Sequence, residues 1–132
     1  MIDFSNEIFN AVALELRSLF PQLQVKGEYV DVPAAFPCLA IDEIRNIPAH
    51  LDSGKRNKYA AVTYRIQVFS NLESGKRAQA REIYAAADEI LMGLGLFCKS
   101  YTTTPAIYNA EIYSITATYE GVIDATGVIY RG

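Results

Sequence analysis

The run from Tyr59 to Gly95 limits what this chain can fold into more than any other stretch. A two-faced segment, Tyr59–Ser70, passes through a short polar turn, Asn71–Gly75, into one amphipathic segment that ends at Gly93-Leu94-Gly95. In the first segment Val62, Tyr64, Ile66 and Val68 alternate with Thr63, Arg65 and Gln67. A period of two sends successive side chains to opposite faces of a strand. One face is then apolar and the other wet, the pattern of an antiparallel sheet covered on one side. Ala78, Ile83, Tyr84, Ala87, Ile90, Leu91 and Leu94 follow at helical spacing, the stripe of a helix that packs on that sheet. The small residues Ala78, Ala80 and Ala85–Ala87 let it lie close. Ser74 fits the start of the helix, and Gly93 or Gly95 can take the left-handed conformation that ends it.

The rest of the chain fits around this unit. Phe4, Ile8, Val12, Leu16 and Leu19/Phe20 recur at helical spacing. Asp3 or Ser5 can accept from the free N–H groups at the helix start, and Glu7 suits the positive end of the dipole. Pro21 stops the helix, because it has no N–H to donate. Leu23–Val30 and Cys38–Ile44 read as strands joined by a connector, Asp31–Pro37, that carries Pro33 and Pro37. In the second, Leu39, Ile41 and Glu43 share one face, and Cys38, Ala40, Asp42 and Ile44 the other. Arg45–Lys58 is polar, with Pro48, His50, Ser53-Gly54 and the cations Lys55, Arg56 and Lys58. It is either a long loop or an extended hairpin arm, since strands flank it. A connection of that length in a small domain usually has a task.

Leu96–Thr104 reads as a strand ended by Pro105. Glu111–Ile123 alternates again, with Tyr113, Ile115, Ala117 and Tyr119 inward and Ser114, Thr116, Thr118 and Glu120 outward. Gly127–Tyr130 can add a short strand. The order α-β-β-β-α-β-β predicts an α+β domain, an antiparallel sheet of four or five strands with two helices on one face.

Composition bounds the function. At 132 residues the chain is sized for one domain with a core of its own. A net charge of −3 argues against general affinity for nucleic-acid phosphates. Nine tyrosines suit half-wet interfaces and strands alike. Cys38 and Cys98 stand alone in apolar surroundings and read as two reduced core thiols, with a disulfide only if their strands are neighbours. The start, Met1-Ile2-Asp3-Phe4, has neither the basic residues nor the apolar run of a signal peptide. With no apolar run long enough to span a membrane, the sequence reads as a soluble protein made in a cytoplasm.

Residues with chemical potential do not converge. His50 has no Cys or second His near it to make a metal site. Asp42 and Glu43 are adjacent, so on a strand they diverge; Asp88 and Glu89 diverge on the helix. Ser53-Gly54-Lys55 and Ser74-Gly75-Lys76 lack the spacing of a phosphate loop, and Gly93-Leu94-Gly95 follows a helix rather than a strand. No catalytic residue, metal ligand or cofactor is expected. Open sheets have edges that need shielding or a partner, and the Arg45–Lys58 segment is built to reach a neighbour.

Tyr64-Arg65-Ile66-Gln67-Val68-Phe69-Ser70, Ser74-Gly75-Lys76-Arg77-Ala78, Ile83…Leu91…Gly95 and Ile112…Tyr119-Glu120-Gly121-Val122-Ile123-Asp124 together resemble the tail terminator and tail-completion proteins of long-tailed bacteriophages. These are also called minor capsid or head–tail joining proteins. The resemblance covers most of the chain and ends in a Tyr-x-Gly-x-x-Asp strand. It implies a structural virion protein of a phage or prophage neck: a homo-oligomeric ring, usually of six subunits, on the end of the tail tube. Partners would be further copies of itself, the tail tube protein and the head–tail connector protein. Double-stranded DNA would pass through the lumen without sequence readout; neither a membrane nor a small-molecule substrate is implied. Lys55, Arg56 and Lys58, with Arg45 and His50 in the same segment, would face the lumen or the next subunit, and Arg65, Arg77 and Arg81 are further interface candidates. The alternatives are a head-side connector adaptor of the same neck, a small nucleic-acid-binding α+β module, and an α+β domain with a ligand pocket.

Overall fold

A computed structural model describes residues 2–29, 33, 35–49, 59–106 and 109–130. The elements run α1 (Ser5–Leu19), β1 (Gln24–Lys26), β2 (Cys38–Ala49), β3 (Tyr59–Ser70), α2 (Lys76–Leu94), β4 (Phe97–Ala106), β5 (Asn109–Asp124) and β6 (Ile129–Tyr130). The strands form one sheet in the order β1-β2-β3-β5-β4, with the two-residue β6 paired to β5. The α+β class and the element order are those expected from the sequence.

β3 is the middle of the sheet. Its register with β2 runs from Cys38↔Phe69 to Ala49↔Tyr59, and with β5 from Tyr59↔Asp124 to Ser70↔Tyr113. Both helices pack on one face. Ile8, Val12 and Leu16 of α1 and Ala80, Ile83, Ala87 and Leu91 of α2 join Leu39, Ile41, Val62, Tyr64, Ile66, Val68, Ile115, Ala117 and Tyr119 in one core. The alternation of β3 and β5 selected these residues, because a period of two delivers every second side chain to the helix side. Fully burying an isoleucine or leucine there stabilises by about 1.5–3 kcal/mol each.

The structure differs from the sequence reading at several points, each with a physical reason. The sheet is antiparallel except at one border, where β1 runs parallel to β2 and spans Gln24–Lys26 rather than Leu23–Val30. A parallel pair needs a crossover, and two residues of the connecting stretch pack on the face without helices. Tyr29 stacks under Arg65 there, and Phe36 packs on a second, smaller apolar cluster of Cys38, Phe69 and Ile112. Hence Gln67, expected to be wet, is only 6% exposed. β2 extends five residues beyond Ile44, to Ala49, through a bulge between Glu43 and Arg45 that leaves Ile44 unpaired with β3. Pro105 does not end β4: β4 is bonded to β5 alone in the strand order, and an edge strand tolerates a residue without an N–H.

Helix ends also deviate. Ser74 does not cap α2; Gly75 occupies that position in a left-handed conformation. Ala78 is exposed and Ala80 carries the buried stripe instead. At the other end Gly95 (φ 108°) closes the helix. Its N–H donates to Met92 O, and that of Leu96 to Leu91 O, the paired bonds that satisfy carbonyls at a left-handed terminus. At α1, Asp3 Oδ1 accepts from the Ser5 N–H at 3.0 Å. Of the two cysteines, both free, Cys38 is buried as expected and Cys98 is exposed on the edge strand.

Candidate assembly surfaces

The helix-side core holds a polar core of its own. Tyr64 and Tyr119 are register partners on β3 and β5, both buried beneath the helices. A buried phenol needs a partner for its O–H, and each finds a carboxylate. Tyr64 donates to Glu43 Oε1 at 2.8 Å. Tyr119 donates to Asp88 Oδ1 of α2 in a short hydrogen bond. Because that proton is committed, the 2.6 Å contact between Tyr84 and Tyr119 has Tyr84 as donor. Burial pushes the hydroxyls of Tyr64, Tyr84 and Tyr119 well above the ordinary tyrosine range, and pushes up the Cys38 thiol. These shifts favour the neutral, unreactive form of every group concerned. Among the described residues no cluster of His, Cys, Asp and Glu could hold a metal ion, and no helix is long and apolar enough to cross a membrane.

The Tyr-x-Gly-x-x-Asp strand end resolves into three packing roles. Tyr119 bonds to α2 through Asp88. Gly121 lies under Leu96 and Ile129; a Cβ there would stand 2.8 Å from Leu96 Cδ2 and 3.1 Å from Ile129 Cγ2. Asp124 Oδ1 accepts from the N–H groups of Thr126 and Val128 and from the Thr126 hydroxyl, shaping the turn that brings β6 back on β5.

The proposed interface cations are not gathered into one place. Arg65 is already engaged within its own chain: Nη2 lies 2.8 Å from Asp42 Oδ2, Nε 3.3 Å from Oδ1, and the guanidinium 4.6 Å over the Tyr29 ring. Arg45 is exposed just after the bulge of β2, on the helix-free side. Arg77 and Arg81 stand one turn apart on the exposed side of α2, in the other layer. His50, Lys55, Arg56 and Lys58 lie outside the described residues.

Among the described residues, open grooves lie on both faces. On the helix-free face a groove of about 260 Å³ has Ile47, Ala61, Val122 and Phe97 along it and Arg45, Thr63 and Glu120 as polar walls. On the helix side a groove of about 420 Å³ runs between α1 and α2, lined by Ala11, Glu15, Leu19, Ala86, Glu89, Ile90, Gly93 and Leu94. Beside it Leu14 is 75% and Leu19 59% exposed. The sequence reading did not name Glu15, and it weighed Glu89 only as the diverging neighbour of Asp88. Their only signal there is position on the flank of an apolar stripe: Glu15 precedes the buried Leu16, and Glu89 stands two places before the buried Leu91.

The buried polar groups and the signature residues thus serve packing, and the outer grooves stay open, an arrangement that suits a structural assembly module. The family model for tail completion protein gp17 matches residues 10–127. The chain belongs to that family and is a structural protein of the phage tail or neck, associated with the virion. Among solved structures, a chain in the virion of a native gene transfer agent (GTA) particle has the same fold. Its TM-score is 0.59 at 17% identity, with 85% of this chain and 90% of that chain covered. No curated protein matches.

Proposed function

We propose that the protein is the ring-forming tail terminator: copies of the chain, six in the usual arrangement, close the end of the tail tube, stop its growth and join it to the head–tail connector. DNA passes through the central hole without sequence readout, and the ring is made in the bacterial host cytoplasm. The segment at 45–58 projects as a loop or hairpin arm from a single α+β domain, with Arg45, His50, Lys55, Arg56 and Lys58 at subunit or partner contacts and Arg77 and Arg81 as secondary ones. The family match over residues 10–127 carries this reading. The register supports the arm, because β2 and β3 stay paired out to Ala49↔Tyr59 on either side of the basic segment. Arg65 drops to a supporting role, since Asp42 already neutralises it.

The test is co-sedimentation with purified tail tubes, followed by electron microscopy. The full chain is expected to bind one end of each tube and to halt elongation in a polymerisation mixture. Deleting residues 49–57 is expected to leave a cooperative unfolding transition but to abolish binding. A full chain that never associates with tubes overturns the function, and normal capping by the deletion variant overturns the arm.

A further inference from the structure

The chain's charge is unevenly distributed. From Arg45 to Lys58 it carries four cations (Arg45, Lys55, Arg56, Lys58) against one anion, Asp52. That segment is therefore +3, and a chain of net −3 is left with −6 over everything else. The helix layer supplies a matching surface. The groove between α1 and α2 meets a second groove, lined by Phe20, Gln79, Glu82 and Ile83 among others, at the shared residue Leu19. The charged residues lining the two are Glu15, Glu89 and Glu82, all anionic, around an apolar centre. Ile44 and Ile47, both exposed, flank Arg45 on β2. Each surface thus offers what the other lacks: apolar side chains beside positive charge, and an apolar groove edged by negative charge.

We propose that the α1–α2 groove around Leu19, walled by Glu15, Glu82 and Glu89, receives the basic segment 45–58 of a second copy of this chain. Within one molecule Arg45 lies on the helix-free face, with the sheet and the helix layer between it and the groove, so the contact joins two copies. It is also a contact between unlike surfaces. Such head-to-tail contacts close into rings when the rotation per subunit allows it, and extend into filaments otherwise. The inference rests on the ring reading above and adds to it which surfaces meet. Complementary charge at such a contact fixes register and suppresses wrong pairings, and reversal on one side sets like charges against each other.

The experiment is a charge exchange, with oligomer formation on tail tubes measured by mass and by co-sedimentation. Glu15→Lys with Glu89→Lys alters one side, and Arg45→Glu with Arg56→Glu the other. Glu15, Glu89 and Arg45 are exposed, and a thermal melt of each variant checks that the fold is kept. Each one-sided variant is expected to lose assembly by roughly tenfold or more, and the variant with all four changes to recover most of it. Full assembly by either one-sided variant, or a four-fold variant no better than its parents, overturns this contact while leaving the ring intact. A wild-type chain that stays monomeric with and without tubes overturns the ring itself, and the contact with it.

Discussion

The two faces of the sheet are made from the same strands and live different lives. On the helix side Ile66, Val68, Ile115 and Ala117 lose all contact with water, two tyrosine hydroxyls meet carboxylates, and Gly121 is fitted to its neighbours within a few tenths of an ångström. On the other side Thr63, Arg65, Thr116 and Thr118 stay half-exposed and are joined by lighter contacts. Ser100 and Thr118 share a 2.7 Å hydrogen bond, and Arg65 pairs with Asp42. The contrast teaches where this fold can vary. Buried, interlocked groups lose a great deal on any change of volume, whereas a half-wet face exchanges one polar contact for another with water. One end of the free face breaks the rule, since Cys38, Phe69 and Ile112 form a small core there under Phe36.

Neighbours on one strand give the largest test. Ile115→Ala is expected to cost about 2–4 kcal/mol and Thr116→Ala less than about 0.5 kcal/mol in denaturant unfolding. Similar losses at the two positions would erase the distinction between the faces. Next comes Gly121→Ala, expected to cost about 1–3 kcal/mol because Leu96 and Ile129 leave no room for the methyl group. An unchanged melting temperature would show that β6 and Leu96 yield freely.

The third test is alkaline. Tyr64 and Tyr119 have hydroxyl pKa values raised from the ordinary 10.0 by burial and by their carboxylate partners. Above about pH 10 the unfolded chain releases protons that the folded one retains, so stability is full below that pH and falls as pH rises through and beyond it. The double variant Tyr64→Phe with Tyr119→Phe should flatten that decline, and an equally steep decline in the variant would assign it to other groups. The smallest effect belongs to the free face: Arg65→Met with Asp42→Asn should change stability by about 1 kcal/mol or less, because the pair is partly exposed. A loss of several kcal/mol would mean that the connector over this face holds the fold as firmly as the helices do.

Much of this was legible in residue order. The period of two in β3 and β5 named the buried residues Val62, Tyr64, Ile66, Val68, Ile115, Ala117 and Tyr119, and the left-handed glycine at the end of α2 was one of two marked positions. The surfaces were less legible. Arg65 looks like an interface cation in sequence and is occupied by Asp42, which stands opposite it only because β2 and β3 pair in that register. Cys98 sits among apolar neighbours in sequence and is exposed because β4 is an edge strand.

By itself the sequence determined the elements, their order, the core-facing half of each long strand and the concentration of positive charge between Arg45 and Lys58, since all of these follow from local spacing and composition. Tertiary structure alone decided the parallel seating of β1, the partners of the buried tyrosines, and the meeting of Glu15 and Glu89, which lie on different helices far apart in the chain. Those outcomes depend on which distant segments are packed together, and a side-chain period carries no information about that.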